Sequence, residues 1–501
     1  MAATSSFTLT LLVGFLCCSL SLNTEQVPCY TSEKSPYRLY GSKTAYEEIP
    51  ANWNGSVTRN TDSVEQGCNP IMIWHLNRHG YRYPGDDDIE LFNTVLPVFR
   101  DGIVNNATVA GQFCAGDLAA LRDWTPRMVP RDDSKLVETG HRELMSIADH
   151  FRGKYPSLLN VSVDALLANF TFRHTDKERT RMSAKAFVKG LLKQPGMSDA
   201  ELNALVDRVP MVVREIGKDL LLRFYDVCEK YIKTVDEQPV AELEKFYKAS
   251  VMAKTRGDVS MRLGLDQSLN ETVAEALWLA CASEYAIYGL TQDKTVRNSS
   301  AAPWCSLFTQ EELKAFEYVA DLEYYYKNSY GNEVNYEQTC PLLKDLIGAI
   351  RNATTGSNFL HGLFRFAHSA TIVPFYSALG LFKDAQAPTS DNYDSRADRK
   401  LRTSYIDSMA SNINFVIYKC EDTHKFKIHV NERETLLPGC SDILCDVSIL
   451  MDSVGKVADA CDFEKICKWP VNPPIGRATR DAVATTTLML TFLVLLLSRQ
   501  L

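Results

Sequence analysis

The hydrophobic positions of this chain change period along its length, and the changes mark out its elements. Ile71-Met72-Ile73-Trp74-His75-Leu76 is a nearly unbroken apolar run between Pro70 and Gly80, which predicts a short buried strand. Phe170-Thr171-Phe172-Arg173-His174-Thr175 alternates and predicts a second strand, followed by Lys177 to Phe187 with helical character. Phe364-Arg365-Phe366-Ala367-His368 repeats the arrangement, leading into Thr371 to Gly380. Between them the apolar spacing becomes helical, over Lys218 to Val235, Val240 to Met252, Leu269 to Tyr288 and Glu311 to Lys327. Tyr324-Tyr325-Tyr326 predicts packing against a neighbouring domain rather than a base-stacking platform. Asp384 to Lys400 is polar and turn-rich and predicts an exposed loop. Asn412 to Tyr418 and Phe426 to Val430 alternate as a hairpin, with Asp422-Thr423-His424 as its turn.

The ends of the chain add a compartment to this picture. Phe7 to Leu22 is an apolar stretch with small residues at Ser19 and Ser21, which predicts a secretory signal peptide over residues 1–22, although Met1 to Ser6 lacks Lys and Arg. Ala482 to Leu497 is a second apolar run, short of the about 20 residues a stable span needs. Small residues at Gly476 and Ala478 and a polar spacer with Arg477, Arg480 and Asp481 precede it, as a GPI-attachment signal requires. Attachment at Gly476 with removal of residues 477–501 is the expectation, and cell-surface anchoring through lipid follows from it. A single transmembrane helix or residence in the endoplasmic reticulum lumen is the alternative.

Cysteines and sequons agree with that route. Two of the fourteen cysteines lie in the signal segment, and an even twelve remain, which fits disulfides in an oxidising compartment. Cys440, Cys445, Cys461 and Cys467 lack zinc-site spacing and predict local bridges. Sequons at Asn54, Asn106, Asn160, Asn270, Asn298 and Asn352 predict glycosylated surface positions. A seventh, at Asn169, abuts the second predicted strand and conflicts with it.

Composition bounds the rest. About 450 mature residues exceed what one hydrophobic core organises, so two domains are expected. With 45% apolar and 23% charged residues the chain is an ordinary globular protein. A net charge of −8 without a basic block excludes a general nucleic-acid binder but not an anionic substrate, since a cleft can be cationic on an acidic protein. The sequence carries no internal repeat, P-loop, dinucleotide fingerprint or H-E-x-x-H, and implies no metal or cofactor. Oligomeric state is left open.

The chemistry is concentrated in Arg78-His79-Gly80-Tyr81-Arg82-Tyr83-Pro84, which sets an imidazole between two guanidinium groups on a turn. A phosphate monoester is a dianion that repels nucleophiles until cations neutralise its oxygens. Arginine suits that task because its planar fork donates paired hydrogen bonds and stays charged. Neutral His79 would then attack phosphorus to form a phosphohistidine. The turn follows a strand, where open α/β sheets bind ligands. Arg173, Lys177, Arg179, Arg181 and Lys185 concentrate charge near the second junction, and about half of them are expected to face the site.

R-H-G-x-R-x-P, R-x-x-x-S-A-x-x-F from Arg179 and F-x-H ending at His368 together resemble the histidine acid phosphatases. Within them, Tyr40-Gly41-Ser42-Lys43-Thr44-Ala45-Tyr46-Glu47 and Phe366 to Thr371 look most like multiple inositol polyphosphate phosphatases. The resemblance implies an α/β core from residues 25–190 and 345–470 with a smaller, mainly helical part over 191–344. It implies His79 as nucleophile, Arg78, Arg82 and Arg179 as phosphate ligands, His368 as a further phosphoryl contact, and a small phosphorylated substrate.

One position departs from that family. Where it has His-Ala-Glu, this chain reads His368-Ser369-Ala370, so the glutamate that protonates the departing alkoxide is missing. General acid catalysis supplies about 10² to 10⁴ in rate, so its loss slows turnover without preventing binding. Asp86, Asp87, Asp88, Glu178 or a neighbouring protonated phosphate are the replacements in view. The acidic run also reads as a solvated cap on a helix. Two functions follow: an inositol polyphosphate phosphatase of reduced rate, or a surface glycoprotein that binds phosphorylated ligands or a protein partner with little turnover.

Overall fold

A computed structural model describes residues 37–50, 67–110, 112–290, 298–356 and 358–470. The N-terminal apolar stretch, Asn54, Gly476 and the C-terminal apolar run lie outside the described residues. In chain order the elements that frame the site are β1 (Cys68–Arg78), α1 (Asp86–Asn105), α2 (Glu138–Lys154), β2 (Phe170–Thr175), α3 (Glu178–Leu192) and β3 (Met211–Arg214). There follow α4 (Glu271–Glu284), α5 (Gln310–Asn328), α6 (Cys340–Thr355), β4 (Gly362–Ala367) and α7 (Ser369–Ala378). The C-terminal strands are β5 (Asn412–Cys420), β6 (Thr423–Val430), β7 (Arg433–Thr435) and β8 (Cys445–Asp446).

A mixed α/β sheet carries the site, in the order β3-β2-β4-β1-β5-β6-β7, with β8 paired to β6. β1 is parallel to β4 and antiparallel to β5, and β2 is parallel to β4 and β3. Four parallel strands, β3, β2, β4 and β1, therefore end together along one edge. β1 reads as a continuous apolar run because both of its faces are covered. Met72, Trp74 and Leu76 pack with Leu342 and Leu346 of α6 and Phe375 of α7. Ile73 packs with Leu144 and Ile147 of α2 and Phe187 of α3. His75 belongs to this core: Nε2 lies 3.0 Å from Asn77 Oδ1, Nδ1 contacts Asn414 Oδ1, and burial pushes its pKa down to about 4.

A second apolar layer joins Phe92 and Phe99 of α1, Leu277 and Trp278 of α4, and Phe316 and Leu322 of α5. The start of α5 is fixed by a capping box, in which Glu312 accepts from Thr309 N at 2.8 Å and Thr309 Oγ1 accepts from Glu312 N. The expected hairpin is β5 and β6, extended so that Glu421 and Asp422 alone form its turn.

Three expectations change. Lys218 to Val235 is not one helix but short turns around the buried Asp219, whose Oδ1 accepts from Leu221 N, Leu222 N and Arg173 Nη2. Val240 to Met252 breaks at the extended Ala249 into two helices, Ala241–Lys248 and Ser250–Arg262. Of the four C-terminal cysteines, only Cys440 and Cys445 bridge locally. Cys461 pairs with Cys340 and Cys467 with Cys228, because the C-terminal helices fold back on α6 and on the segment around Tyr231. Cys68–Cys420 and Cys281–Cys305 are the other bridges among the described residues. Asn169 ends the short helix Val163–Asn169, half-buried, with its amide donating to Ala165 O at 3.0 Å. The other described sequon asparagines, 106, 160, 270, 298 and 352, are exposed. Among the described residues no helix is long and apolar enough to cross a membrane.

Candidate active site

Register sets the two site histidines side by side. Arg78 of β1 pairs with Ala367 of β4, so the next residue on each strand, His79 and His368, emerges at the same edge with ring centroids 5.5 Å apart. His79 N donates to Ala367 O at 3.0 Å, and His79 O accepts from Ala410 N at 3.0 Å. The imidazole is buried, and its Nδ1 sits 2.9 Å from Gly80 O. A proton on Nδ1 leaves the lone pair on Nε2. Burial first, then Arg78 and Arg179, hold His79 well below its usual pKa, so it stays neutral and nucleophilic in mild acid.

The turn itself is made by two glycines. A Cβ on Gly80 would lie 2.5 Å from Gly140 O, and one on Gly140 would lie 2.2 Å from Tyr81 O, so only glycine lets the turn rest on the start of α2. Gly80 N donates to Ser183 Oγ at 3.1 Å, and Ser183 Oγ donates to Arg179 O at 2.7 Å. Arg179 and Ser183, four residues apart on one face of α3, thus tie Arg179 to the turn that carries His79.

Arg78, Arg82 and Arg179 surround His79, with Arg223 on the neighbouring His368 and Lys43 beside Arg82 and Arg78. Arg78 Nη1 donates to Ser42 O at 2.7 Å and to Asp407 O at 2.5 Å. Arg82 Nη1 donates to Tyr83 O at 2.7 Å. Arg179 Nη2 lies 3.5 Å from His368 Nδ1, while Arg223 Nη1 and Thr175 Oγ1 lie 3.2 and 2.8 Å from His368 Nε2. Burial, aided by neighbouring arginines, lowers Arg179 to about 10 and Lys43 to about 8, lowers Arg82, and holds His368 well below its usual value. Such crowding of cations is relieved by a bound dianion. Of the basic residues near the second junction, Arg179 faces the site. Arg173 pairs with Asp219, Lys185 pairs with Asp207, and Arg181 is exposed, because a helix presents one face at a time.

Next to these groups opens a cleft of about 490 Å³, lined among others by Ser42, Lys43, Tyr225, Glu323, Tyr324, Lys327 and Ala370. Tyr324 therefore faces the cleft instead of only packing between layers. Ala370 supplies no acid there. Asp86 and Asp87 are exposed in the first turn of α1, Glu178 is exposed, and half-buried Asp88 lies near Lys43 and Arg82. A separate hollow of about 240 Å³ is lined by Glu47, Glu143, Glu432, His150 and Arg433, and by none of the basic groups gathered near His79 and His368.

Sequence reasoning assigned no role to Lys43, Arg223 or Asp407. Lys43 lies inside the quoted N-terminal motif, a signal that was present. Arg223 has no motif, and its place depends on the Asp219 contacts that replace the expected helix. If Arg82 holds phosphate, Arg82→Ala should weaken inorganic phosphate binding about 10- to 100-fold, the size of one charge-assisted hydrogen bond. Titration calorimetry at fixed salt measures it.

A family model of the Histidine phosphatase superfamily (branch 2) matches residues 72–431. The chain is 30% identical over 475 residues to multiple inositol polyphosphate phosphatase 1 of Drosophila melanogaster, covering 91% of this chain and 94% of that one. It is 28% identical over 429 residues to the Homo sapiens protein of the same name, covering 81% and 83%. In fold it is similar to the phytase from D. castellii, with a TM-score of 0.62, 18% identity and coverage of 86% and 87%. It is also similar to the Bifidobacterium longum multiple inositol polyphosphate phosphatase in complex with inositol hexasulfate, with a TM-score of 0.60, 17% identity and coverage of 83% and 97%. The chain belongs to the histidine phosphatase superfamily (branch 2), the phosphoric monoester hydrolases of histidine acid phosphatase type.

Proposed function

We propose that this protein hydrolyses inositol polyphosphates, or similar small polyphosphates, through a phosphohistidine on His79. The observation that carries the reading is the convergence of Arg78, Arg82 and Arg179 on a neutral, buried imidazole, with Arg223 on the neighbouring His368. Arg78, Arg82 and Arg179 hold the phosphate oxygens, and His368 makes a further contact. His79 Nε2 attacks phosphorus as the bond to the leaving oxygen breaks, and water then cleaves the phosphorus–nitrogen bond. The names of the relatives support the substrate class, and Lys43 and Lys327 give the cleft cations for more than one phosphate.

Lys43 makes this pH-dependent. Its ammonium is the charged form and is lost as pH rises through about 8, so KM for a polyphosphate should rise above that pH. A KM series from pH 6.5 to 9 checks this, and Lys43→Arg should flatten it.

The exposed sequon asparagines and the disulfides support passage through the secretory pathway, with glycosylation and a lipid anchor at Gly476 as parts of the same proposal. Ala370 favours a second reading, a surface glycoprotein that binds phosphorylated ligands with little turnover. Phosphate release by the purified chain from inositol hexakisphosphate and from p-nitrophenyl phosphate separates the two. Turnover of both supports the hydrolase, and binding of phosphate without turnover of either supports the second reading.

A further inference from the structure

A buried carboxyl group outside the motifs reaches the position next to the missing acid. Asp407 is fully buried between Arg78 and α7, with its Oδ2 accepting a hydrogen bond from Ser369 Oγ and lying 3.6 Å from Arg78 Nη1. Its other oxygen, Oδ1, is also buried, with the Ser411 side chain close by. Ser369 precedes Ala370, and Tyr324 lies beside both Ser369 and Asp407. Tyr324 and Ala370 line the same cleft. The three side chains thus lie next to one another from a buried carboxyl group to the wall where residue 370 would have presented its acid.

We propose that Asp407 supplies the leaving-group proton that residue 370 lacks, relayed through Ser369 and Tyr324. This rests on the phosphohistidine reading above. When His79 Nε2 bonds to phosphorus, the electron pair of the breaking P–O bond goes to the leaving alkoxide. That oxygen takes the Tyr324 hydroxyl proton, Tyr324 takes the Ser369 proton, and Ser369 takes the proton of the Asp407 carboxylic acid. The Asp407 carboxylate so formed faces Arg78. In the second step a water oxygen bonds to phosphorus, the P–N pair returns to Nε2, and the water proton travels back along the path to Asp407. The sum is ester plus water giving alcohol plus phosphate.

The surroundings make Asp407 a proton donor. Burial raises it to about 6, against the opposing pull of Arg78, Ser369, Lys43 and Ser411. Tyr324 and Tyr376 face it as neutral phenols, both held above their usual pKa chiefly by burial. A phosphate dianion bound to Arg78 offsets that guanidinium and favours the protonated acid further. The acid is present below about pH 6 and is lost above it, so turnover of alkyl phosphates should fall as pH rises through that value. A phenolic leaving group needs less protonation and should escape this fall.

The test compares inositol hexakisphosphate with p-nitrophenyl phosphate in the full chain and in Asp407→Asn. The expected result is a loss of about 10² or more on the inositol phosphate, under about 5-fold on the aryl ester, and disappearance of the fall near pH 6. Ala370→Glu added to Asp407→Asn should restore the inositol phosphate rate, and Tyr324→Phe at the cleft should reproduce the selectivity. If Asp407→Asn fails to fold, Tyr324→Phe carries the same comparison. Equal losses on both esters with weaker phosphate binding would mean that Asp407 only positions Arg78, and would overturn the relay. The same pH fall in wild type and variant would also overturn it. No turnover of either ester by the unmodified chain would overturn the hydrolytic reading itself, and the relay with it.

Discussion

His79→Ala should lose about 10⁴-fold or more in turnover of every phosphate monoester while binding inorganic phosphate within a few-fold of the unmodified chain. Both halves of that result follow from the geometry. The backbone of residue 79 is held by Ala367 O and Ala410 N at 3.0 Å each, and neither bond involves the side chain. The turn and its guanidinium groups therefore stay in place when the ring is removed. The ring is neutral, so its loss removes no charge from the phosphate site. What is lost is the ring nitrogen that the proposed mechanism bonds to phosphorus, and water in its place lacks both nucleophilicity and fixed orientation. Steady-state rates on both esters and phosphate titration by calorimetry check the two halves separately. Near-normal turnover would contradict the covalent mechanism.

Gly140→Ala should have the second largest effect, although the residue touches no substrate. Its Cβ would lie 2.2 Å from Tyr81 O and 2.7 Å from Tyr81 N, and those are backbone atoms that cannot rotate away. Tyr81 is fixed by bonds from its N to Glu143 Oε2 at 2.7 Å and from Val137 N to its O at 3.0 Å. The clash must therefore displace the segment carrying His79 and Arg82 relative to α2. Misplacement by about 1 Å costs about 10²-fold in rate, and overpacking costs about 1–3 kcal/mol of stability. Turnover of p-nitrophenyl phosphate with a thermal melt measures both. Unchanged rate and melting would show that the turn tolerates the methyl group.

How much of this was legible in the sequence depends on how local each feature is. β1, β2, β4 and the β5–β6 hairpin follow from runs and alternation because each is buried or half-buried along its own length. Arg78, His79 and Arg82 share one turn, and Arg179 and Ser183 share one helix face, so short motifs carry them. Arg223 and Asp407 come from segments positioned by tertiary contacts. Asp219 captures Arg173 and the N–H groups of Leu221 and Leu222, which overrides the helical spacing around Arg223. Asp407 gains meaning only beside Ser369 and Arg78, which are 38 and 329 residues away in sequence. The pairing of Cys461 with Cys340 and Cys467 with Cys228 was hidden for the same reason.

The covalent step is the central claim, and rapid quenching of the protein with ³²P-labelled substrate tests it most directly. The account predicts an acid-labile, base-stable label that forms and decays at rates matching turnover and maps by mass spectrometry to His79. Turnover without such a label, or a label on any other residue, would contradict it.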